Sequence, residues 1–184
     1  MTGRPEILFP LFAELTGLEG IGPKGALALA QVDIETPRDL LFSLPYSGID
    51  RRVKDTVQGA HLPDVVTVEV LIGTHMQPRN KGGAYRVNVE DSSTEFQLVF
   101  FHARGDYLQK VLPTGERRIV SGRAELFDGF AQMVHPDHIV PVDQGDTIPE
   151  FEPVYHLTAG VTQKTMVKAI SSAVRRAPVL MEWM

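Results

Sequence analysis

From Val65 to Val140 the chain alternates apolar and polar residues in short runs divided by turn residues. Side chains of a strand point to opposite faces in turn, so each run can be read for its two faces. Val65–Ile72 puts Val66, Val68, Val70 and Ile72 on one face, against Val65, Thr67, Glu69 and Leu71. The loop Gln77-Pro78-Arg79-Asn80-Lys81-Gly82-Gly83 follows. Tyr85–Glu90 turns Tyr85, Val87 and Val89 inward and Arg86, Asn88 and Glu90 outward. Glu95–Phe101 turns Phe96, Leu98 and Phe100 inward and leaves Gln97, Val99 and Phe101 facing out. Ala103–Leu112 has the spacing of a short helix carrying Tyr107, Leu108 and Val111, and Pro113-Thr114-Gly115 ends it. Arg117–Leu126 and Ala131–Val140 are two further strands joined by a tight Asp128-Gly129 turn. Five short strands with a helix between the third and fourth is the order of an OB-fold barrel.

The first part of the chain has a different period. Leu8, Leu11, Phe12 and Leu15 are spaced for a helix over the stretch Glu6–Leu15. Gly20-Ile21-Gly22 allows a turn, and Pro23 opens a helix to Gln31 with Ala26, Leu27 and Ala30 as its apolar stripe. Thr36 caps a further helix with Pro37 at its first position, Asp39 near its positive end, Leu40, Leu41 and Leu44 as packing residues, and Pro45 as its stop. A last helix runs from Thr162 to Arg176. The expected fold is α+β: a small helix-hairpin-helix-like segment at 1–60, a five-stranded OB-fold barrel at 61–145, and a linker with a helix at 146–184.

Phe101 is the informative residue of the barrel. An apolar ring on the outer face of a small sheet needs a flat partner, and on such a barrel a nucleic-acid base supplies one. The alternative is that Phe101 packs under the following helix or against another domain. Arg79 and Lys81 in the loop after the first strand, and Arg86 on the second, fall where OB-folds bind oligonucleotides. Lys24 follows the Gly-x-Gly turn, where backbone N–H groups at a helix start can receive a phosphate; such a turn is more often a plain helix connection. Arg51-Arg52-Val53-Lys54 is either a phosphate contact or a solvated loop.

Composition narrows this. The 184 residues are 43% apolar, enough to form an ordered core. A net charge of −5 argues against indiscriminate polyanion binding, so any nucleic-acid site must be a confined stripe or a stacking surface. The lack of cysteine excludes disulfides and thiolate metal sites. No apolar run reaches membrane-spanning length, and the expected location is cytoplasmic.

Nothing in the sequence points to catalysis. There is no Gly-x4-Gly-Lys-Ser/Thr phosphate cradle and no Gly-x-Ser-x-Gly elbow. His135 and His138 on one strand point to opposite faces, which favours a hydrogen-bonded structural role over a shared metal ion.

Several stretches, taken in order, resemble the N-terminal wedge region of the RecG-type ATP-dependent DNA helicases. They are Met1-Thr2-Gly3-Arg4-Pro5 with Phe9-Pro10-Leu11; Gly20-Ile21-Gly22-Pro23-Lys24; Thr36-Pro37-Arg38-Asp39-Leu40-Leu41-Phe42-Ser43-Leu44-Pro45; Val99-Phe100-Phe101-His102 with Tyr107-Leu108; and Gln132-Met133-Val134-His135-Pro136-Asp137. Glu152–Lys164 resembles the linker into the motor. The resemblance implies a non-catalytic wedge that splits branched DNA, a fork or Holliday junction, in DNA repair and recombination. Downstream motor domains would use ATP and Mg2+; no cofactor is expected in this stretch. Phe101 becomes the base-stacking ring and Tyr107 a second one. His102 stands where the family usually has Asn. The Phe127-Asp128-Gly129-Phe130 hairpin, often basic in relatives, carries two aromatics and an acid, which argues against a phosphate contact there. The chain ends at Trp183-Met184 before any motor motif. It is expected to be part of a longer, monomeric enzyme, with branched DNA and its own motor domains as partners and no membrane. A protein-interaction module, with Phe101 docking another domain or chain, is the other reading.

Overall fold

A computed structural model describes residues 5–78, 80 and 82–180. The chain packs into two units, one made of 1–48 with 153–184 and the other of 49–152.

The second unit is a barrel. Its strands are β1 (Asp64–Met76), β2 (Tyr85–Glu90), β3 (Glu95–Phe100), β4 (Arg117–Phe127) and β5 (Phe130–Val134). They are ordered β1-β2-β3-β5-β4, and β4 closes back on β1 along an antiparallel ladder from Asp64↔Ala124 to Leu71↔Arg117. The β3–β5 pair is parallel, with Leu98 opposite Met133. Inward residues build one core from Val66, Val68, Val70, Ile72, Val87, Val89, Phe96, Leu98, Phe100 and Met133. A short helix between β3 and β4 (Gly105–Val111) adds Leu108, and Leu112 just after it, to the same core. This is the five-stranded barrel that the alternation implies.

Three details depart from the sequence reading. Val99, expected on the outer face, is only 1% exposed. Its strand lies between β2 and β5, and the half-buried Arg86 and Val134 sit opposite it on the same face. The expected last strand, Ala131–Val140, is two strands. It breaks at His135, which adopts φ +47°, and at Pro136, which has no N–H for a ladder. The second piece, β6 (His138–Pro141), pairs with the other end of β4, Ser121 opposite His138. The first strand extends to Met76 through a bulge after Ile72. Gly73 sits in that bulge, where a Cβ would come 2.9 Å from the Asn88 carbonyl oxygen, so the residue must be glycine.

Arg51 departs furthest from expectation. It is 4% exposed and forms the centre of a polar cluster inside the barrel unit. Its Nε donates to Glu152 (2.6 Å), Nη2 to Asp137 (2.9 Å) and Nη1 to Ser121 Oγ (2.9 Å). Thr67 Oγ1 donates to Ser121 Oγ in turn (2.7 Å). Arg52 stays outside, paired with Asp50 and lying over the Phe151 ring. Asp91 closes the loop entering the barrel. Burial raises its pKa, but N–H donors from Ser93, Val57 and Thr94 and the Thr56 hydroxyl outweigh burial and leave it lowered.

In the first unit α1 spans Pro23–Ala30, α2 Pro37–Leu41 and α4 Gln163–Arg176, the barrel helix Gly105–Val111 being α3. The expected helix at Glu6–Leu15 is instead a 3-10 turn over Glu6–Phe12, with Pro10 removing a donor inside it, and a separate turn at Leu15–Gly17. Leu15, Leu18, Ile21, Leu29 and Leu40 pack with Met166, Ala169 and Ala173 of α4. The small side chains of α4 let the helix approach closely. Thr36 and Asp39 form a reciprocal cap at the start of α2. Burial alone would raise the Asp39 carboxyl, but hydrogen bonds from Arg38, Thr36 and Glu35 hold it down at about 2. Leu44, expected to pack, is exposed because α2 ends at Leu41, before its turn reaches that residue.

Candidate nucleic-acid interface

Phe101 is the first residue past β3, on the same face as Val99. The residue is 44% exposed, so it is neither in the barrel core nor sealed under α3. His102 follows in the left-handed region (φ +56°) and turns the chain sharply into Ala103 and the N-terminus of α3. The third residue of α3 is Tyr107, which is 63% exposed while its neighbour Leu108 points into the core. One open groove of about 720 Å³ is lined by both rings, together with His102, Arg104, His135 and Asp137.

The charges around this groove are few. Asp137 is held by the Arg51 guanidinium at 2.9 Å, but Arg51 is shared with Glu152, so its single charge offsets the two carboxylates only in part. Arg104, exposed at the cap of α3, lines the groove with the two aromatic side chains. A flat apolar ring, a phenol and a guanidinium around one open groove can stack a base and hold an adjacent phosphate.

The other residues singled out from the sequence lie elsewhere. Arg86 does not border the Phe101 groove. It lines a second groove of about 430 Å³ with Asn88, Gln97, Gln132 and the hairpin rings Phe127 and Phe130. Asp128 and Gly129 both have positive φ, the geometry of the tight two-residue turn, and this brings Phe127 and Phe130 opposite one another, exposed. Lys24 is exposed in the first turn of α1, in the other unit. Arg79 and Lys81 lie outside the described residues. The Arg51–Lys54 run is not a free basic patch, since Arg51 is buried and Arg52 is paired.

Sequence reasoning missed two groove residues. Arg104 was one solvent-exposed cation among many, and nothing in its neighbourhood marked it. His135 carried a partial signal: the following proline announced a strand end. What the His135 ring touches depends on β3, some 35 residues earlier in the chain. Its Nε2 accepts the Phe101 backbone N–H at 3.1 Å. Its ring meets Phe100 edge-on at 6.0 Å and Phe101 at 5.9 Å with a 43° tilt.

The family model of the RecG wedge domain matches residues 15–176. This chain belongs to the RecG wedge domain family. Among relatives of the wedge, an ATP-dependent DNA helicase RecG of Escherichia coli O157:H7 is 32% identical over 182 residues, 94% of this chain and 24% of that protein. The RecG helicase of Thermotoga maritima is 27% identical over 166 residues, 86% of this chain and 20% of its own length. A solved structure of RecG bound to a three-way DNA junction matches with a TM-score of 0.68 at 25% identity, over 93% of this chain and 23% of that one. The wedge-family chain thus spans about a quarter of the length of the curated relatives it matches.

Proposed function

We propose that this chain is the branched-DNA-binding wedge of an ATP-dependent DNA helicase, and that it parts strands by stacking a base at the fork on Phe101. One observation carries the reading: on a barrel of the RecG wedge family, Phe101 and Tyr107 both present exposed rings to one groove that Arg104 also lines. Phe101 is the stacking ring, Tyr107 a second aromatic wall, and Arg104 the phosphate contact. The solved RecG bound to a three-way DNA junction supports this choice of ligand. Arg79, Lys81, Arg86 and Lys24 act as secondary phosphate contacts along the displaced strands. The helicase works on forks and Holliday junctions in DNA repair and recombination. The reading carries with it a cytoplasmic, monomeric protein whose own motor domains supply the motion.

ATP and Mg2+ belong to those motor domains. The residues here do not fit them: the sequence has no P-loop, and among the described residues no three His, Asp or Glu gather to hold a metal. In this reading the chain's own contribution is shape and stacking.

The test compares fork, single-strand and duplex DNA by band shift at two ionic strengths. The fork should bind best and weaken with salt. Equal binding to plain duplex would overturn the reading. A second reading, a protein-docking module, is favoured by the exposed Phe127–Phe130 hairpin, whose groove is flanked by Glu95 and Asp128. An apolar dock would persist in high salt, whereas a DNA site would not.

A further inference from the structure

His135 makes two hydrogen bonds to the end of one strand. Its backbone N–H donates to the Val99 carbonyl (2.9 Å), and its ring Nε2 accepts the Phe101 N–H (3.1 Å). Val99 and Phe101 are two residues apart and face the same way. The regular β3–β5 ladder stops at Val99↔Val134, because His135 turns left-handed and Pro136 offers no N–H. A continuing strand would have presented a carbonyl to the Phe101 N–H. Here the imidazole of His135 takes its place, brought round by the φ of +47°, a conformation histidine tolerates better than most side chains.

An Nε2 that accepts a hydrogen bond carries no proton, so the neutral ring must be protonated on Nδ1. Immediately after Phe101 the backbone reverses at His102 (φ +56°). Phe101 thus stands between the end of a ladder and a reversal. Its own N–H donates to the His135 ring. The His135 ring also lies against both Phe100, fixed in the core, and Phe101, so it couples the exposed ring to the rigid barrel.

We propose that His135 is the positioning residue for Phe101: its neutral, Nδ1-protonated imidazole caps the β3 strand end and holds the exposed Phe101 ring ready for a base. The role rests on Phe101 being the stacking ring. Without the cap, ordering that segment falls to the binding step and lowers affinity.

The test uses the 184-residue chain at mildly alkaline pH, where imidazole is neutral. Long-range nitrogen–proton NMR on the wild type should show His135 with a protonated Nδ1 and a bare Nε2; the reverse tautomer overturns the proposal. Fork-DNA affinity by fluorescence anisotropy then separates the roles. His135→Phe keeps a ring but has no acceptor, and should weaken fork binding about two- to ten-fold, the worth of one neutral hydrogen bond. His135→Gln places an oxygen near the Nε2 position and should restore most of that loss. His135→Asn suits a left-handed backbone but is too short to reach, and should behave like the Phe variant, which keeps the test open if His135→Phe does not fold. In the background of Phe101→Ala, His135→Phe should cost nothing further. If Phe101→Ala weakens binding while both His135→Phe and His135→Asn bind like wild type, the positioning role is wrong and the stacking reading survives. If Phe101→Ala itself leaves fork binding unchanged, the stacking reading is wrong and the positioning role falls with it.

Discussion

Phe101 and Arg51 are the two residues whose chemistry most depends on a few ångströms of placement. Phe101 is exposed at the end of a strand whose alternate residues are core. Replacing it with Ala should lower fork affinity by about 1–3 kcal/mol, the usual worth of one aromatic–base stack. The urea midpoint should stay within about 0.5 kcal/mol of wild type, as for other surface substitutions. Unfolding of Phe101→Ala would instead identify the ring as structural. Arg51 has the opposite profile. Its guanidinium donates to three side chains, and only an arginine fork reaches Glu152, Asp137 and Ser121 together. Arg51→Ala should cost about 1.5–3 kcal/mol in urea unfolding with an unchanged m-value, and Arg51→Lys should recover only part of it. Asp91 titrates below its ordinary value because its hydrogen bonds outweigh burial. A depressed carboxylate contributes stability that is complete above the unfolded pKa of about 3.9 and fades as pH falls from there through the folded value. Asp91→Asn should therefore be less stable than wild type at neutral pH, and the gap should narrow under acid below about pH 4. A gap that stays constant with pH would show that the charge is not what matters.

At the scale of elements, the alternation of apolar and polar residues carried much of the information. Val66, Val68, Val70 and Ile72 are all buried on one face of β1, and β2 spans Tyr85–Glu90 as its pattern implies. Local signals place such elements because the period of side-chain direction depends on the backbone alone. They fail where a neighbour decides the outcome. Val99 is buried because of what lies on β2 and β5, and the last strand is broken because two successive residues cannot continue a ladder. The bulge at Gly73 is a third example, since only the Asn88 carbonyl makes a side chain intolerable there. Gly73→Ala should destabilise the barrel by about 1–3 kcal/mol through that contact, read from the thermal or urea midpoint. A neutral substitution would mean that the bulge can open without strain.

At the scale of the whole molecule, an acidic chain that belongs to the RecG wedge domain family has to bind through a confined surface. Each phosphate contact adds a slope of about −0.7 to −0.9 in log affinity against log salt. With Arg104 and the four secondary cations engaged, a slope of about −3 to −5 is expected, stacking supplies the salt-independent remainder, and Arg104→Ala should reduce the slope by about one. A slope near zero from wild type would remove the phosphate contacts altogether, and no change with Arg104→Ala would place them elsewhere. The sequence alone determined the strand order, the outward ring and the family, because these depend on local period, on turn chemistry and on motifs in a fixed order. Only the folded chain decided that Tyr107 and Arg104 share a groove with Phe101, that Arg86 does not, that Arg51 is buried, and that His135 holds the strand end. Arg51 and His135 join residues far apart in the chain, and the groove takes its far wall from His135 and Asp137. No local pattern encodes which distant atoms close packing will bring within reach.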